Sequence, residues 1–303
     1  MMKNDNDMLE NIAASFADYE LIDSGDFEKL ERFGSLTVRR PEPQAIWRKN
    51  MSEDEWRCAA GASFLRDARN DERGEWRFAS PQTPRQWSVG YEYKSMKLRM
   101  RLGLTSFKHV GIFPEQAANW NFIYDTCRSL HETSCRRPRV LNLFAYTGGA
   151  TLAACAAGAD AVHVDSVRQV VTWARENMES SGLDGIRWIV DDALKFVRRE
   201  VRRGNLYDGI ILDPPAYGRG PDGEKWVLEE NIGEMLSLCS ALLQPRDSFL
   251  VLNLYSMGLS SLLARTAVQQ SFGAPADERY GELYFEDRFG KRLPLGTYYR
   301  MFR

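Results

Sequence analysis

A glycine pair, a scatter of aspartates and a proline pair are the residues whose types and spacing could do chemistry in this 303-residue chain. The segment Asn142-Leu-Phe-Ala-Tyr-Thr-Gly-Gly-Ala150 sets Gly148 and Gly149 where an apolar run gives way to an alanine-rich helical pattern. Glycine lets a backbone approach a ligand closely, and the first turn of a helix offers unpaired N–H groups. A tight strand-to-helix turn would use the same residues. Asp165, followed by Ser166, ends the next apolar run at the spacing where an acidic side chain accepts hydrogen bonds from ribose hydroxyls. Asp192 in Val190-Asp-Asp-Ala-Leu194 ends a third run and could accept from an adenine amino group, with Ala193 beside it. Asp191 is the rival for that role, and a helix-capping aspartate is the plainer reading.

A fourth apolar run, Gly209-Ile-Ile-Leu212, ends in Asp213-Pro-Pro-Ala-Tyr217. Pro214 and Pro215 fix φ and remove two N–H donors, so the carbonyls there sit in a stiff loop with no donors competing for them. Such a loop suits orienting a planar group that is about to react. Gly218-Arg-Gly-Pro-Asp-Gly223 matches a dinucleotide G-x-G-x-x-G, but it does not open a helix directly from a strand and Pro221 interrupts it, so it reads as a mobile loop beside the site.

These residues need elements to position them. Strands are expected at 140–144, 161–165, 186–190, 207–213 and 248–254, the first four each followed by a helical pattern, which is the signature of an open, doubly wound α/β sheet. A helix over 149–157 stops at Gly158. A further helix is expected over 260–270, and residues 280–302 read as an antiparallel pair around the turn at 287–290. The first hundred residues differ. Their tryptophans, glycines and short apolar runs read as a small β-rich domain, giving an expected division into residues 1–105 and 106–303.

Composition narrows the possibilities. A net charge of −2 argues against a protein that holds nucleic acid by overall charge, so any such binding needs a local patch. Residues 1–20 lack the basic and then apolar layout of a signal peptide, and no run reaches the roughly 18 apolar residues of a membrane span. Cys58, Cys127, Cys135, Cys155 and Cys239 form no C-x-x-C pair and the chain has 3 histidines, so no metal site is expected and a reducing cytosol fits.

Taken together, the segments around Gly148, Asp165, Asp192 and Asp213 resemble the motifs of class I S-adenosylmethionine-dependent methyltransferases, whose Rossmann-like seven-stranded sheet ends in a reversed hairpin. The stretch Phe107-Lys-His-Val-Gly-Ile-Phe-Pro-Glu-Gln116, followed by Trp120, looks like the ribosomal RNA large-subunit methyltransferase family with a D-P-P-x-[FY] signature. The likeness runs from about Tyr91 to the C-terminus. It implies S-adenosylmethionine as cofactor, with Phe113 and Gln116 flanking its methionine portion, Phe144, Ala145, Tyr146, Thr147, Gly148 and Gly149 wrapping it, Asp165 holding the ribose and Asp192 the adenine. Asp213, Pro214, Pro215 and Tyr217 would face the substrate, with Tyr217 stacking on a base.

Two departures matter. Relatives that methylate cytosine C5 need a cysteine nucleophile near the end of strand four or five, whereas here strand five ends in Asn253-Leu-Tyr-Ser256. Ala117 also stands where many relatives carry arginine. A nitrogen acceptor in RNA, which needs no covalent step, is therefore the expected target. A small-molecule or protein acceptor, or a cofactor-binding module without catalysis, are the alternatives. For RNA, Met96-Lys-Leu-Arg-Met-Arg-Leu102 alternates so that, as a strand, Lys97, Arg99 and Arg101 share one face that would be free to neutralise phosphates. An ordinary amphipathic strand with a solvated basic face has the same pattern.

Overall fold

The computed structural model describes residues 9–67, 70–255 and 259–303. In chain order the elements are β1 (Ile12–Ala13), β2 (Tyr19–Gly25), β3 (Glu28–Phe33), β4 (Leu36–Pro41), α1 (Glu53–Ala59), β5 (Ala62–Asp67), β6 (Asn70–Phe78), β7 (Gln86–Tyr93) and β8 (Met96–Gly103). A short 3-10 turn, Pro114–Gln116, leads into α2 (Ala117–Ser134), and β9 (Arg139–Leu143), α3 (Gly149–Ala156), β10 (Asp160–Asp165), α4 (Arg168–Ser180), β11 (Arg187–Val190) and α5 (Ala193–Arg202) follow. The chain closes with β12 (Gly209–Leu212), β13 (Tyr217–Arg219), β14 (Lys225–Val227), α6 (Leu228–Leu242), β15 (Phe249–Leu254), α7 (Ser261–Phe272), β16 (Asp277–Glu286) and β17 (Arg292–Phe302).

The continuous apolar runs become the middle of one large sheet, ordered β1-β16-β17-β15-β12-β9-β10-β11. Every residue of β12 and β15 is buried, as expected for parallel strands covered by helices on both faces. Strands β11, β10, β9, β12 and β15 run parallel, and the hairpin β16–β17 adds an antiparallel β17 against β15. The parallel strands and the closing antiparallel pair stand where they were expected. From β9 the chain winds one way to β10 and the other way to β12, so the crevice at their carboxyl ends is a switch point where ligands bind.

An eighth strand was not expected. Ile12–Ala13 reaches past the N-terminal region and pairs in parallel with Leu283 and Tyr284 of β16. The stretch before residue 106 therefore adds an edge to the large sheet as well as making its own five-stranded sheet, β2-β3-β4-β5-β6, and the β7–β8 hairpin. Helix α1, also unexpected, is short and held by a Ser52–Glu55 capping box. The β16–β17 turn docks on the N-terminal sheet through buried Asp23, which accepts from the Asn50 and Met51 amides, the Trp56 indole and the Lys291 ammonium. A buried Asp with five donors is satisfied enough to fix one docking geometry. One hydrophobic cluster runs through both parts, from Phe16 and Tyr91 to Trp120 and Leu152.

Of the residues 218–223 expected as a loop, Gly218 and Arg219 belong to β13 and the remainder turns toward β14, with Lys195 reaching Asp222 at 2.7 Å and Glu224 at 3.1 Å.

Candidate active site

The loop after β9 carries its geometry in its backbone. Phe144 and Tyr146 both hold left-handed φ, 56° and 49°, which costs non-glycine residues of the order of 1–3 kcal/mol each. Neighbouring groups stabilise that shape. The Ala145 amide donates to the Val164 carbonyl at 3.1 Å, the Tyr146 amide to Asp165 Oδ2 at 2.9 Å, and Asn177 Nδ2 to the Thr147 carbonyl at 2.9 Å. Thr147 Oγ1 donates to the Gly111 carbonyl at 2.7 Å, tying the loop to the segment before α2. Gly148, at φ 93°, caps α3 and leaves the helix N-terminus open. Gly149 serves packing as much as ligand approach, since a Cβ there would lie 2.3 Å from the Trp120 ring.

Asp165, at the end of β10, accepts from the Tyr146 and Val167 amides, one on each oxygen, both at 2.9 Å. Burial raises its pKa, and the two backbone donors pull the other way. Each oxygen keeps a lone pair for a further donor such as a hydroxyl. Beside it, β11 ends at Asp191 and Asp192. Asp191 is engaged by Arg199 and by the Asp192 amide, while Asp192 caps α5 through Oδ1 to the Lys195 amide at 2.8 Å. The capping reading of Asp192 is thus correct, yet its Oδ2 holds no hydrogen bond among the described residues, so capping does not exhaust the carboxylate. Ser166 follows Asp165, and Ala193 is the first, buried residue of α5.

Between these strand ends and α2 lies an open cleft. Its walls bring together Phe113 and Gln116, Phe144 through Gly149, and Asp213. Phe113 lies 5.4 Å from the Tyr146 ring. Asp165, Ser166, Asp192, Ala193, Pro214, Pro215 and Tyr217 lie outside this lining, along the same edge of the sheet. A strained loop with a free helix N-terminus next to an acidic strand end fits an adenosyl cofactor with a polar amino-acid arm.

At the other end of the cleft, Asp213 is held by Asn253 of β15, whose Nδ2 donates to Asp213 Oδ1 at 2.9 Å. Burial pushes the Asp213 carboxyl up to about 6, against the pull of that hydrogen bond. The two proline carbonyls are not equivalent, contrary to the expectation of no competing donors. Pro215 accepts from the Trp226 indole at 2.7 Å, so it anchors the loop to β14, while the Pro214 carbonyl holds no hydrogen bond among the described residues. Tyr217 starts β13 and is 53% exposed. Asn253 and Trp226 were not singled out from sequence. Asn253 had a signal, a lone amide in the apolar run Phe249–Leu254, whereas no local pattern marked Trp226 as part of the site. Ser256 lies outside the described residues.

None of the five cysteines lines the cleft, and the buried Cys127 and Cys239 have their thiol pKa values raised by burial, so they stay protonated. Among the described residues no cluster of histidine, cysteine or carboxylate groups could hold a metal, and no helix is long and apolar enough to cross a membrane.

Lys97, Arg99 and Arg101 do share a face of β8, with Met96, Leu98, Met100 and Leu102 buried on the other. On that face Lys97 and Arg99 are exposed, but Arg101 is not free. Helix α4 packs across the hairpin, its Trp173 indole donating to the Arg101 carbonyl, and this brings Glu176 within 2.9 Å of Arg101. Arg101 also stacks on Trp173 at 4.4 Å, and Lys97 lies 3.9 Å from Glu92.

Comparison with known proteins extends this picture. A family model described as S-adenosylmethionine-dependent methyltransferase matches residues 48–276. The crystal structure of an S-adenosylmethionine-dependent methyltransferase from Agrobacterium tumefaciens is similar over 97% of this chain and 93% of its own, at 36% identity and a TM-score of 0.87. Ribosomal RNA large subunit methyltransferase K/L of Shewanella frigidimarina is 28% identical over 51% of the chain and 21% of its own length. Ribosomal RNA large subunit methyltransferase I of Aeromonas salmonicida is 29% identical over 53% of the chain and 40% of its own. The chain thus matches less than half the length of these curated relatives.

Proposed function

The chain belongs to the S-adenosylmethionine-dependent methyltransferases, and from that premise we propose that it methylates a nitrogen of a base in RNA, with ribosomal RNA as the substrate class. The likeness to two ribosomal RNA methyltransferases supports RNA. The observation that carries nitrogen is the Asp213 end of the cleft, where the Asp213 carboxylate is fixed by Asn253, the adjoining Pro214 carbonyl holds no hydrogen bond among the described residues, and no cysteine lines the wall. An exocyclic amino group has two N–H bonds to give such a pair, and a ring carbon has none.

In this reading the bound cofactor supplies an electrophilic methyl on a sulfonium. Phe113, Gln116 and the loop from Phe144 to Gly149 hold it, Asp165 accepts from its ribose hydroxyls, Asp192 accepts from its adenine, and Ser166 and Ala193 border those contacts. Asp213 and Pro214 orient the acceptor nitrogen so that its lone pair points at the methyl, and Asp213 takes the proton the nitrogen sheds. Tyr217 stacks on the base, which a folded RNA must present flipped out or unpaired. Positioning and charge supply the rate, as for a direct displacement. Lys97 and Arg99 contribute phosphate contacts, Arg101 being already matched by Glu176, and the protein acts in the cytoplasm. Residues 106–303 form the methyltransferase domain and 1–105 an appended β-rich domain that lends one strand to it.

Incubation with cofactor carrying a tritiated methyl, followed by separation of total RNA, protein and metabolites, tests the proposal. Label in RNA is expected. Label confined to protein or metabolites would contradict the RNA acceptor, and cofactor binding without transfer to any fraction would contradict catalysis.

A further inference from the structure

Arg300 is a buried charge whose guanidinium stacks on the Phe122 and Tyr298 rings at 5.1 and 4.7 Å. It sits on β17, 7% exposed, and among the described residues no carboxylate lies within ion-pair distance of it. Its Nη2 is buried without a hydrogen-bond partner. Burial pulls its pKa down to about 10, while Glu10 and Tyr298 favour the charge and Arg279 opposes it. A guanidinium so placed costs folding free energy unless something repays it.

The sheet register shows where it points. Asn142, Ile211, Val251 and Arg300 are directly paired across β9, β12, β15 and β17, so they share one face, and the first three line the cleft. From the end of that row Arg300 Nε donates to Asn119 Oδ1 at 2.8 Å, and Asn119 Nδ2 donates to Gln116 Oε1 at 2.7 Å. Asn119 and Gln116 both line the cleft.

The direction of this chain follows from chemistry. Arginine has five donors and no acceptor, so Asn119 must turn its oxygen toward Arg300 and its NH₂ toward Gln116. Gln116 must then turn its oxygen toward Asn119, which leaves its own NH₂ for the cleft. Among the described residues that NH₂ holds no hydrogen bond.

We infer that Arg300 is a positioning residue which, through Asn119, fixes the amide of Gln116 with its N–H donors facing the cleft, making a subsite for the carboxylate of the cofactor's methionine arm. The inference rests on the cofactor assignment above and adds the group recognised and the residue responsible. An acceptor-only residue at position 300 would reverse both amides and present an oxygen to the carboxylate instead.

Titration calorimetry with S-adenosylmethionine and with decarboxylated S-adenosylmethionine reads the subsite directly. The wild type is expected to prefer the carboxylated form by about tenfold or more, the worth of a hydrogen bond to a charged group. Arg300→Met should remove most of that preference by weakening S-adenosylmethionine alone, and Arg300→Lys, still a pure donor, should restore part of it. Asn119→Asp keeps Arg300 paired, and so protects the fold, while offering Gln116 only an acceptor; it should lose the preference entirely. A folded Arg300→Met or Asn119→Asp with wild-type preference would overturn the inference. A wild type that binds both ligands equally would overturn the inference alone, whereas one that binds neither would overturn the cofactor assignment itself.

Discussion

The two ends of the cleft are built differently. The end after β9 and β10 is made of backbone: left-handed residues at Phe144 and Tyr146, a free helix N-terminus at Gly148, and Asp165 serving first to hold that loop. The end after β12 and β15 is made of side chains drawn from distant positions, with Asn253 reaching Asp213 and Trp226 reaching Pro215. A backbone site is specified by a short stretch of sequence and tolerates little change. A side-chain site can be retuned residue by residue, so specificity for the acceptor belongs there.

That contrast breaks most sharply at Asp213. Asp213→Ala should lower the methyl-transfer rate by at least about a hundredfold, the usual worth of a positioned acid or base, with cofactor affinity within about twofold of wild type. Loss of cofactor binding together with activity would place Asp213 on the wrong side of the divide. With its pKa raised to about 6, the carboxylate accepts protons and hydrogen bonds above that pH and loses the ability below it. Single-turnover rates should therefore fall as pH drops through about 6, and Asp213→Asn should be slow without that inflection.

Asp165→Ala tests the other end. It should weaken cofactor binding by roughly 1.5–3 kcal/mol, or about ten- to a hundredfold, through the lost ribose acceptor and the loosened Tyr146 amide, with turnover at saturating cofactor much less affected. An unchanged dissociation constant would reduce Asp165 to a strand end.

The same contrast governs what the sequence makes legible. The strands, their order of use and the loop at Gly148 and Gly149 were readable because each is local: an apolar run, a glycine pair, an acidic residue at a fixed spacing. The role of Gly149 was only half readable, because the Trp120 ring that needs the space comes from another helix. The unlike roles of Pro214 and Pro215 were not readable, because the indole that separates them comes from β14, which no local pattern marks as a strand. The Arg300–Asn119–Gln116 chain joins residues 181 positions apart, which no window along the sequence could connect. The β1 strand was missed for a related reason, since two residues carry no periodicity and only the exposed edge of β16 gives them a place.

The smaller effects concern RNA. Exchanging Lys97, Arg99 and Arg101 for glutamine should weaken RNA binding and reduce its salt dependence by about one to two counterions, since Arg101 is already matched by Glu176, and should leave cofactor affinity alone. Affinity and salt slope at wild-type values would leave β8 as an ordinary solvated strand. Smallest of all is the effect expected from cysteine. Replacing each of the five by serine should leave transfer in a folded protein, because none lines the cleft.

The central claim, that Asp213 and the Pro214 carbonyl present a base nitrogen to the cofactor's methyl group, is tested most directly by the identity of the product. RNA methylated by the wild-type protein with isotopically labelled cofactor would be digested to nucleosides and resolved by mass spectrometry. The account predicts that the labelled methyl sits on an exocyclic nitrogen, and that Asp213→Ala yields none. Label recovered as 5-methylcytosine would contradict it.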